Sequence, residues 1–298
     1  MIDVAVVGSL HLDIMVAAPR LPVLDETLIG SAWNTKCGGK GGNQAVAASR
    51  FGARVAFGGQ TGADDFGKRL RRNLSDAGVD TACVGIDPRH GSGMSVAITE
   101  SGGEYGAVVV SGANLTIEEA AIQTGWQALW SCKVMLLQNE IPESVSIVAA
   151  KMAKANSALV ILNAAPARAS SMEFLDLVDV LIVNRIEAAM LAGTDETGAA
   201  LHFLHSPRRD VVLTRGADGL AVMQRDGTRS DIPALDVKMI SSHGAGDCFS
   251  GALAARLAAG DDLLHACSYA RTAAGLFVSL CETQQQVLNH DMVVARMR

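Results

Sequence analysis

Residues 37–45 of the chain are Cys-Gly-Gly-Lys-Gly-Gly-Asn-Gln-Ala. Four glycines among the five positions 38–42 let the backbone approach a ligand closely, because no Cβ atom intervenes. The alanine and valine spacing over residues 43–51 predicts a helix directly afterwards, and the free N–H groups at its N-terminus suit an anion or an oxygen-rich ligand. The stretch is neither a Walker A loop nor a Gly-x-Gly-x-x-Gly motif. Taken alone, it fits either a ligand site or a structural turn.

Short apolar runs on both sides of this stretch alternate with alanine-rich helical ones. Runs typical of strands, or continuing the alternation, lie at residues 4–8, 55–58, 134–138, 159–163, 174–177, 180–183 and 211–214. Helical patterns lie at residues 43–51, 66–77 and 144–155. This alternation predicts an α/β fold with a mostly parallel sheet and helices on both of its faces.

Two segments break the alternation and predict β-hairpins. They are residues 14–33 and 94–110, the second with a glycine-containing turn over residues 100–104. A small antiparallel sheet beside a parallel one either covers a cleft or forms a plain edge hairpin. The sequence alone leaves both readings open.

The composition excludes several classes of protein. With 298 residues, 49% hydrophobic and 19% charged, the chain is not disordered and forms one or two domains. The net charge of −6 argues against nucleic-acid binding. No charge-free run approaches the ~20 residues of a membrane span, and the first residues lack the basic region of a signal peptide. We therefore expect a cytoplasmic protein, with no membrane or nucleic-acid partner and its six cysteines as free thiols.

A second glycine motif, Ser-Ser-His-Gly-Ala-Gly-Asp-Cys-Phe-Ser-Gly, occupies residues 241–251. Gly244, Ala245 and Gly246 precede an alanine-rich helix that is predicted to run to about Gly260. Their backbone N–H groups would form an anion hole at the helix N-terminus. Asp247 would lie in the first helical turn. There it could cap the helix, or act as a general base where negative charge develops.

A third motif, Asn184-Arg-Ile-Glu187, follows the predicted strand at residues 180–183. The spacing of three places Asn184 and Glu187 on one face of the next helix. Beside a phosphate, that pair could orient magnesium and its waters. The alternative is an ordinary helix start with an acid in its first turn.

Together these segments resemble the ribokinase-like (PfkB) family of carbohydrate kinases over nearly the whole chain. Residues 38–47 are similar to the N-terminal signature of the family, in the form typical of its ribokinase branch. Residues 8–13 resemble the first strand with its sugar-binding aspartate. Residues 62–67, 163–167, 184–187, 214–219 and 244–247 follow in the order of the family. The resemblance implies one three-layer α/β/α domain over residues 1–298, with a small β lid from about residues 13–36 and 90–111.

The resemblance also implies ATP-dependent phosphorylation of a primary hydroxyl of a pentose, expected to be ribose. Asp247 would take the hydroxyl proton, and Gly244, Ala245 and Gly246 would stabilise the transferring phosphoryl group. The implied sugar site comprises Asp13, Gly39, Lys40, Asn43 and Glu140. The implied nucleotide site comprises Asn184, Thr214, Gly216 and Gly219. Glu187 would serve the Mg²⁺ ion, and the lid sheets would pair two chains into a homodimer.

Two departures from the family pattern call potassium activation into question. Ser241-Ser242 replaces the usual Asp-Thr, whose aspartate resembles a potassium ligand in ribokinases. A serine offers only a neutral oxygen, which makes a weaker site for a hard cation. Residues 281–285, Cys-Glu-Thr-Gln-Gln, lack the usual glycine-containing turn. These two loops favour the alternative of a non-catalytic sugar-binding regulator with the same fold. A kinase for another sugar, deoxyribose or a nucleoside also stays open, because the fold alone does not decide the substrate.

Overall fold

The computed structural model describes residues 1–100 and 105–297. The strands in this part of the chain are β1 (Val4–Val7), β2 (His11–Ala18), β3 (Ala32–Gly38), β4 (Val55–Gly62), β5 (Asp80–Asp87), β6 (Gly93–Glu100), β7 (Tyr105–Val110), β8 (Val134–Gln138), β9 (Leu159–Asn163), β10 (Val180–Asn184), β11 (Asp210–Thr214), β12 (Leu220–Met223) and β13 (Arg229–Ile232).

The α-helices of the same residues are α1 (Lys40–Arg50), α2 (Asp65–Asp76), α3 (Glu119–Gly125), α4 (Glu143–Ala155), α5 (Met172–Leu177), α6 (Arg185–Ala192), α7 (Thr197–Leu204), α8 (Ala245–Ala259), α9 (Leu263–Ser279), α10 (Glu282–Gln285) and α11 (His290–Met297). Helix α8 ends at Gly260, whose φ of 98° gives the left-handed cap that glycine adopts readily.

The described strands build a nine-stranded sheet in the order β13-β12-β11-β10-β9-β8-β1-β4-β5. Strands β1, β4, β5 and β8–β11 are parallel to one another, and β12 is antiparallel to both β11 and the edge strand β13. The predicted mostly parallel sheet is therefore confirmed. Because parallel strands need long crossovers, the connecting helices fall on the two faces of the sheet.

Both faces of the sheet are buried, as strand β1 illustrates. Val4 and Val6 point to the side covered by α1, α8 and α9, whereas Ala5 and Val7 point to the other side, with residues of α4, α5 and α7. The side-chain period of two along a strand thus supplies two separate cores. This arrangement gives the three α/β/α layers.

A second sheet has the order β3-β2-β6-β7. Strands β2 and β3 pair in antiparallel fashion, as do β6 and β7, while β2 and β6 are parallel. This sheet contains both segments that were predicted to form hairpins. The pair β2 and β3 extends from residue 11 to residue 38, beyond the predicted bounds of 14 and 33. Residues 101–104 of the predicted turn lie outside the described residues.

Two local expectations were wrong. Residues 174–177 continue the strand alternation in sequence, but they lie at the end of α5, where the side chain of Ser171 caps the helix by accepting from the Phe174 N–H. Residues 8–13 do not belong to the first strand. The chain leaves β1 at Val7 and enters the second sheet at His11.

Candidate active site

The N-terminus of α1 packs directly on the loop after β1, and this contact requires glycine. A Cβ atom on Gly41 would lie 2.6 Å from the Ser9 nitrogen and 2.8 Å from the Gly8 carbonyl carbon, distances that real Cβ atoms do not adopt. Gly39 has a φ of 83°, in the left-handed region. The glycines therefore bring the first turn of α1 against the backbone of residues 8–10.

Asp247 lies in the first turn of α8 and its side chain reaches across to α1. The Asn43 Nδ2 donates to Asp247 Oδ2 at 3.0 Å, and the Gln44 Nε2 donates to Asp247 Oδ1 at 2.9 Å. No side chain caps α8, whose N-cap is Gly244. Of the two roles that the sequence leaves open for Asp247, capping is the one that the geometry does not support.

The electrostatic surroundings of Asp247 disfavour its charged form. The residue is 8% exposed, and burial raises the pKa of its carboxyl above the ordinary value for aspartate. The positive charge of Lys40 and the two amide hydrogen bonds oppose this rise. A buried carboxylate with a raised pKa beside a cleft is typical of a functional group.

The start of α8 offers backbone donors to the same region. Gly244 has a φ of 82°, and a Cβ atom on Gly246 would meet no atom within 4 Å, so this turn opens into free space. First-turn N–H groups of a helix have no intrahelical partner. The Ala245 N–H already donates to the Ser242 carbonyl at 3.2 Å, which leaves the anion-hole role mainly to its neighbours.

A cleft of about 210 Å³ brings most of the predicted phosphate-site residues together. Polar and glycine residues that line it are Lys40, Asn163, Asn184, Glu187, Thr214, Gly244, Gly246, Asp247 and Ser250. Lys40, predicted for the sugar, lines this cleft with the residues predicted for the nucleotide and the transferring phosphoryl group. The cleft therefore places one cation among the groups expected to handle phosphate.

Asn184 and Glu187 form a reciprocal capping box at the start of α6. The Glu187 N–H donates to Asn184 Oδ1 at 2.9 Å, and the Asn184 backbone N–H donates to Glu187 Oε2 at 2.7 Å. Burial raises the pKa of the Glu187 carboxyl, and the positive charge of Lys40 acts against that rise. The sequence left open either a helix start or a phosphate-site role for this pair. The structure shows that the pair starts a helix and also lines the cleft.

These residues fit a magnesium ion that is held mostly by substrate. The described residues contain no group of three or more His, Cys, Asp or Glu side chains able to hold a metal. Mg²⁺ usually keeps several waters and binds through one or two carboxylates together with the phosphates of a nucleotide. Glu187 supplies one such carboxylate in the small cleft, and the other acidic residue that lines it is Asp247.

Glu140 follows β8 and points at the N-terminus of α1. Its Oε2 accepts from the Lys40 backbone N–H at 2.8 Å and from the Ser9 hydroxyl. The His11 Nδ1 lies 3.8 Å from the same oxygen. Among the described residues no hydrogen bond reaches Oε1, so this oxygen is available to a ligand hydroxyl.

Asp13 lines a larger cavity of about 1020 Å³, together with Gly38, Asn43 and Asp247. The Ser95 hydroxyl donates to Asp13 Oδ1 at 2.5 Å, and a Cβ atom on Gly38 would collide with Oδ2 of the same carboxylate. Asn43 and Asp247 line this cavity together, and Asp247 lines the small cleft as well. The carboxylate of Asp247 therefore stands where the predicted sugar and phosphate regions meet.

Thr214 reaches the cleft, but Gly216 and Gly219 line neither of these two cavities. Gly219 has a φ of 78°, and a Cβ atom there would collide with the Ile232 carbonyl oxygen in the neighbouring strand. Its requirement for glycine is thus explained by the packing of β12 and β13. Gly216 has a φ of 62° and open space around it.

The sequence reasoning did not assign several residues of this site, namely Ser95 beside Asp13, Asn163 and Ser250 in the small cleft, and Ser9 and Gln44. Ser9 bonds to Glu140, and Gln44 bonds to Asp247, although both stand inside motifs that the sequence already singles out. The position of Gln44 beside Asn43, at the start of α1, could have indicated that it belongs to the site. Nothing in the local sequence indicates that a residue 203 positions away is its partner.

The model of the pfkB family of carbohydrate kinases matches residues 1–289. The chain belongs to this family. It is an ATP-dependent sugar kinase. The ribokinase of Haemophilus influenzae is 33% identical over 288 residues, 95% of this chain and 94% of the relative. A deoxyribokinase of Salmonella typhimurium is 30% identical over 259 residues, 85% of this chain and 84% of the relative.

Solved structures of sugar kinases share the whole architecture of this PfkB chain. Arabidopsis thaliana ribokinase, in complex with ribose and ATP, superposes with a TM-score of 0.91 at 27% identity and covers 100% of this chain and 99% of that one. The three-layer fold is thereby confirmed. No helix among the described residues is both long and apolar enough to cross a membrane.

Proposed function

We propose that this kinase transfers the γ-phosphoryl group of ATP to the primary hydroxyl of ribose. The observation that carries the proposal is the position of Asp247, between the larger cavity and the small phosphate-type cleft. The hydroxyl oxygen forms a bond to the γ-phosphorus while the bond from that phosphorus to the leaving oxygen of ADP breaks. Asp247 takes the hydroxyl proton as general base.

The sugar lies at the α1 end of the larger cavity. Asp13 and Asn43, which line that cavity, supply acceptors and donors for its hydroxyl groups. Glu140 and Gly39 line neither cavity but lie at the start of α1, where Glu140 accepts from the Lys40 N–H and would offer its free oxygen to the sugar. Buried polar groups of this kind favour a polyhydroxylated ligand, because an unmet donor or acceptor costs about 1–3 kcal/mol. The chemistry of the site thus agrees with that of the ribokinase relatives.

The nucleotide lies on the opposite side of Asp247. Asn184 and Thr214 line the cleft beside its phosphates, and the N–H groups of Gly244 and Gly246 stabilise the transferring group. Gly216 and Gly219 would lie farther along the nucleotide, outside that cleft. Lys40 faces the phosphates rather than the sugar, which its place in the small cleft supports. Glu187 holds Mg²⁺, which when bound neutralises part of the phosphate charge.

A panel assay tests this proposal directly. ADP release from ATP and magnesium is measured with ribose, deoxyribose, fructose and a nucleoside as acceptors. We expect the highest kcat/KM with ribose. The 30% identity with a deoxyribokinase favours deoxyribose as the second candidate, and a higher kcat/KM on it would replace ribose. Sugar binding in calorimetry without turnover on any acceptor would instead indicate a non-catalytic regulator.

Potassium is not expected to activate this kinase. Ser241 supplies only a hydroxyl, which in the structure accepts from the His243 N–H at 3.3 Å. The Glu282 carboxylate lies 3.3 Å from the Lys36 ammonium, so its charge is partly compensated by a lysine. Exchange of potassium for tetramethylammonium at constant ionic strength should change kcat by less than about twofold, because a hard cation prefers charged oxygen ligands. A steep loss of activity would contradict this expectation.

We also propose that two chains pair through the sheet β3-β2-β6-β7. Apolar side chains on this sheet are exposed, among them Trp33 at 73% and Val108 at 66%. Exposed apolar side chains grouped on one small sheet are typical of an interaction surface. Light scattering should give twice the chain mass of 31.0 kDa, and Val108→Arg should shift the mass to that of one chain. A monomeric wild type would contradict the pairing.

Free thiols and the use of ATP fit a cytoplasmic location.

A further inference from the structure

Gln44 occupies a fully buried position at the contact between α1 and α8. Its exposed fraction is 0%. The two helices approach closely there, because Gly251 of α8 has no side chain. A Cβ atom on Gly251 would lie 2.6 Å from the Gln44 carbonyl oxygen and 2.6 Å from the Ala47 Cβ. This close approach brings a side chain from the buried face of α1 within reach of Asp247.

The two amides that hold Asp247 have different access to ligands. Asn43 is half-buried and lines the larger cavity, whereas Gln44 is excluded from both cavities. Adjacent helical residues project about 100° apart, so the two donors approach the carboxylate from different directions. Gln44 takes Oδ1 on the interior side, and Asn43 takes Oδ2 on the side of the cavity. The partner of Oδ2 thus lines the larger cavity, whereas the partner of Oδ1 lines neither cavity.

We propose that Gln44 is a positioning residue, whose amide holds Oδ1 of Asp247 so that Oδ2 stays turned towards the acceptor hydroxyl. The inference rests on the proposed function, because it needs Asp247 as the base. Gln44 touches no substrate and acts only through that carboxylate. Its other amide atom, Oε1, is buried without a hydrogen-bond partner among the described residues, so the side chain is kept in place by its bond to Asp247.

The same hydrogen bond affects the ionisation of Asp247. Burial raises the pKa of this carboxyl, and the amide of Gln44 is one of the groups that lower it again. The other groups that act on it are Lys40 and Asn43, which lower the pKa, and Glu140, which raises it. Removal of the Gln44 amide should therefore move the acid limb of kcat to higher pH, because the base stays protonated over a wider range.

The test replaces Gln44 with methionine, which keeps the length of the side chain and removes its donor. With ribose and ATP, we expect kcat of Gln44→Met to fall about 10- to 100-fold, the range for a lost hydrogen bond to a charged group. The acid limb should move to higher pH, while the Kd of ribose from calorimetry should change less than about threefold, because Gln44 does not line the cavity. In an Asp247→Asn background the same change should have little further effect on kcat.

Gln60→Met is the matched control, because the Gln60 amide donates to the Thr116 hydroxyl at 2.7 Å, outside the site. It should leave kcat and its pH profile unchanged. A folded Gln44→Met enzyme with the kcat and acid limb of the wild type would overturn the inference. If Gln44→Met fails to fold, Gln44→Glu has nearly the same size and places a second carboxyl beside Asp247. The two carboxyl groups would then share a proton, which should move the acid limb of kcat to still higher pH. A pH profile like that of the wild type would again overturn the inference about Gln44.

The outcome also separates this inference from the proposed function. If Asp247→Asn is nearly inactive while Gln44→Met behaves as the wild type, only the role of Gln44 is overturned. If Asp247→Asn keeps normal turnover, Asp247 is not the base, and both statements are overturned together.

Discussion

Asp247→Asn is expected to lower kcat by about 10²–10⁴-fold, the usual contribution of a general base. The asparagine cannot accept the hydroxyl proton, although it keeps the size of the aspartate. Its packing is also preserved, because one of the two neighbouring amides, of Asn43 or Gln44, can rotate to accept from the new NH₂ group while the other still donates to the remaining oxygen. The Kd of ribose should therefore change little. Initial rates with saturating ribose and ATP, together with calorimetry, measure both quantities.

The wild-type pH profile supplies an independent check on Asp247. Burial raises the pKa of this carboxyl, so its proton-accepting form is lost at a pH above the ordinary range for aspartate. Activity should be high above that pKa and fall as the pH drops through it. Asp65→Asn is the matched control for Asp247→Asn, because the Asp65 side chain is 91% exposed and pairs with Lys68 on its own helix. Turnover of Asp247→Asn near the wild-type level would contradict the assignment.

Lys40→Met should lower kcat by about 10²–10³-fold, the cost of losing one preorganised stabiliser of transition-state charge. Lys40 lines the cleft with Asn184, Glu187 and the start of α8, where the transferring phosphoryl group is proposed to lie, and its charge acts on the carboxyls of Glu187 and Asp247. Methionine retains the apolar stem but has no charge. The backbone N–H of residue 40 still donates to Glu140, so that part of the sugar site remains.

The substitution also distinguishes the two roles considered for Lys40. A phosphate role lowers kcat and weakens ATP binding while the Kd of ribose stays within about threefold. A sugar role raises that Kd and leaves kcat largely unchanged. Lys151→Met is the control, because the Lys151 ammonium pairs with Glu173 at 2.6 Å on the surface, where such pairs contribute little. A rise in the Kd of ribose alone would contradict the phosphate role.

The main elements of the fold could be predicted from local patterns in the sequence. The predicted helices after the first glycine stretch and before Gly260 are both present as α1 and α8. The spacing of apolar residues that predicts α1 and the glycine that caps α8 both act over a few neighbouring residues. The short strands β12 and β13, at one end of the sheet, were not predicted. Each has only four residues, and β13 (Arg229–Ile232) is stabilised by pairing rather than by an apolar pattern of its own.

The residues of the site also divide into those that local motifs predict and those that depend on the tertiary structure. Asp247, Asn43 and Lys40 stand in glycine-rich motifs at helix starts, where the type and spacing of residues already indicate anion chemistry. The cleft that Lys40 lines was not predictable, because Lys40 stands among the glycines of one motif and lines the cleft with residues of two others. Likewise the capping box at Asn184 and Glu187 is local, but its burial against the cleft depends on strands from elsewhere.

The sequence by itself determined the family, the layered α/β fold and most of the residue types in the site, because these depend on short motifs and on hydrophobic periodicity. Only the tertiary structure decided which of those residues touch. Gln44 meets Asp247 across 203 positions, and Ser9 meets Glu140 across 131. Such contacts arise where glycines let α1 approach both α8 and the loop after β1. That close approach is a property of packed backbones, and no local pattern encodes it.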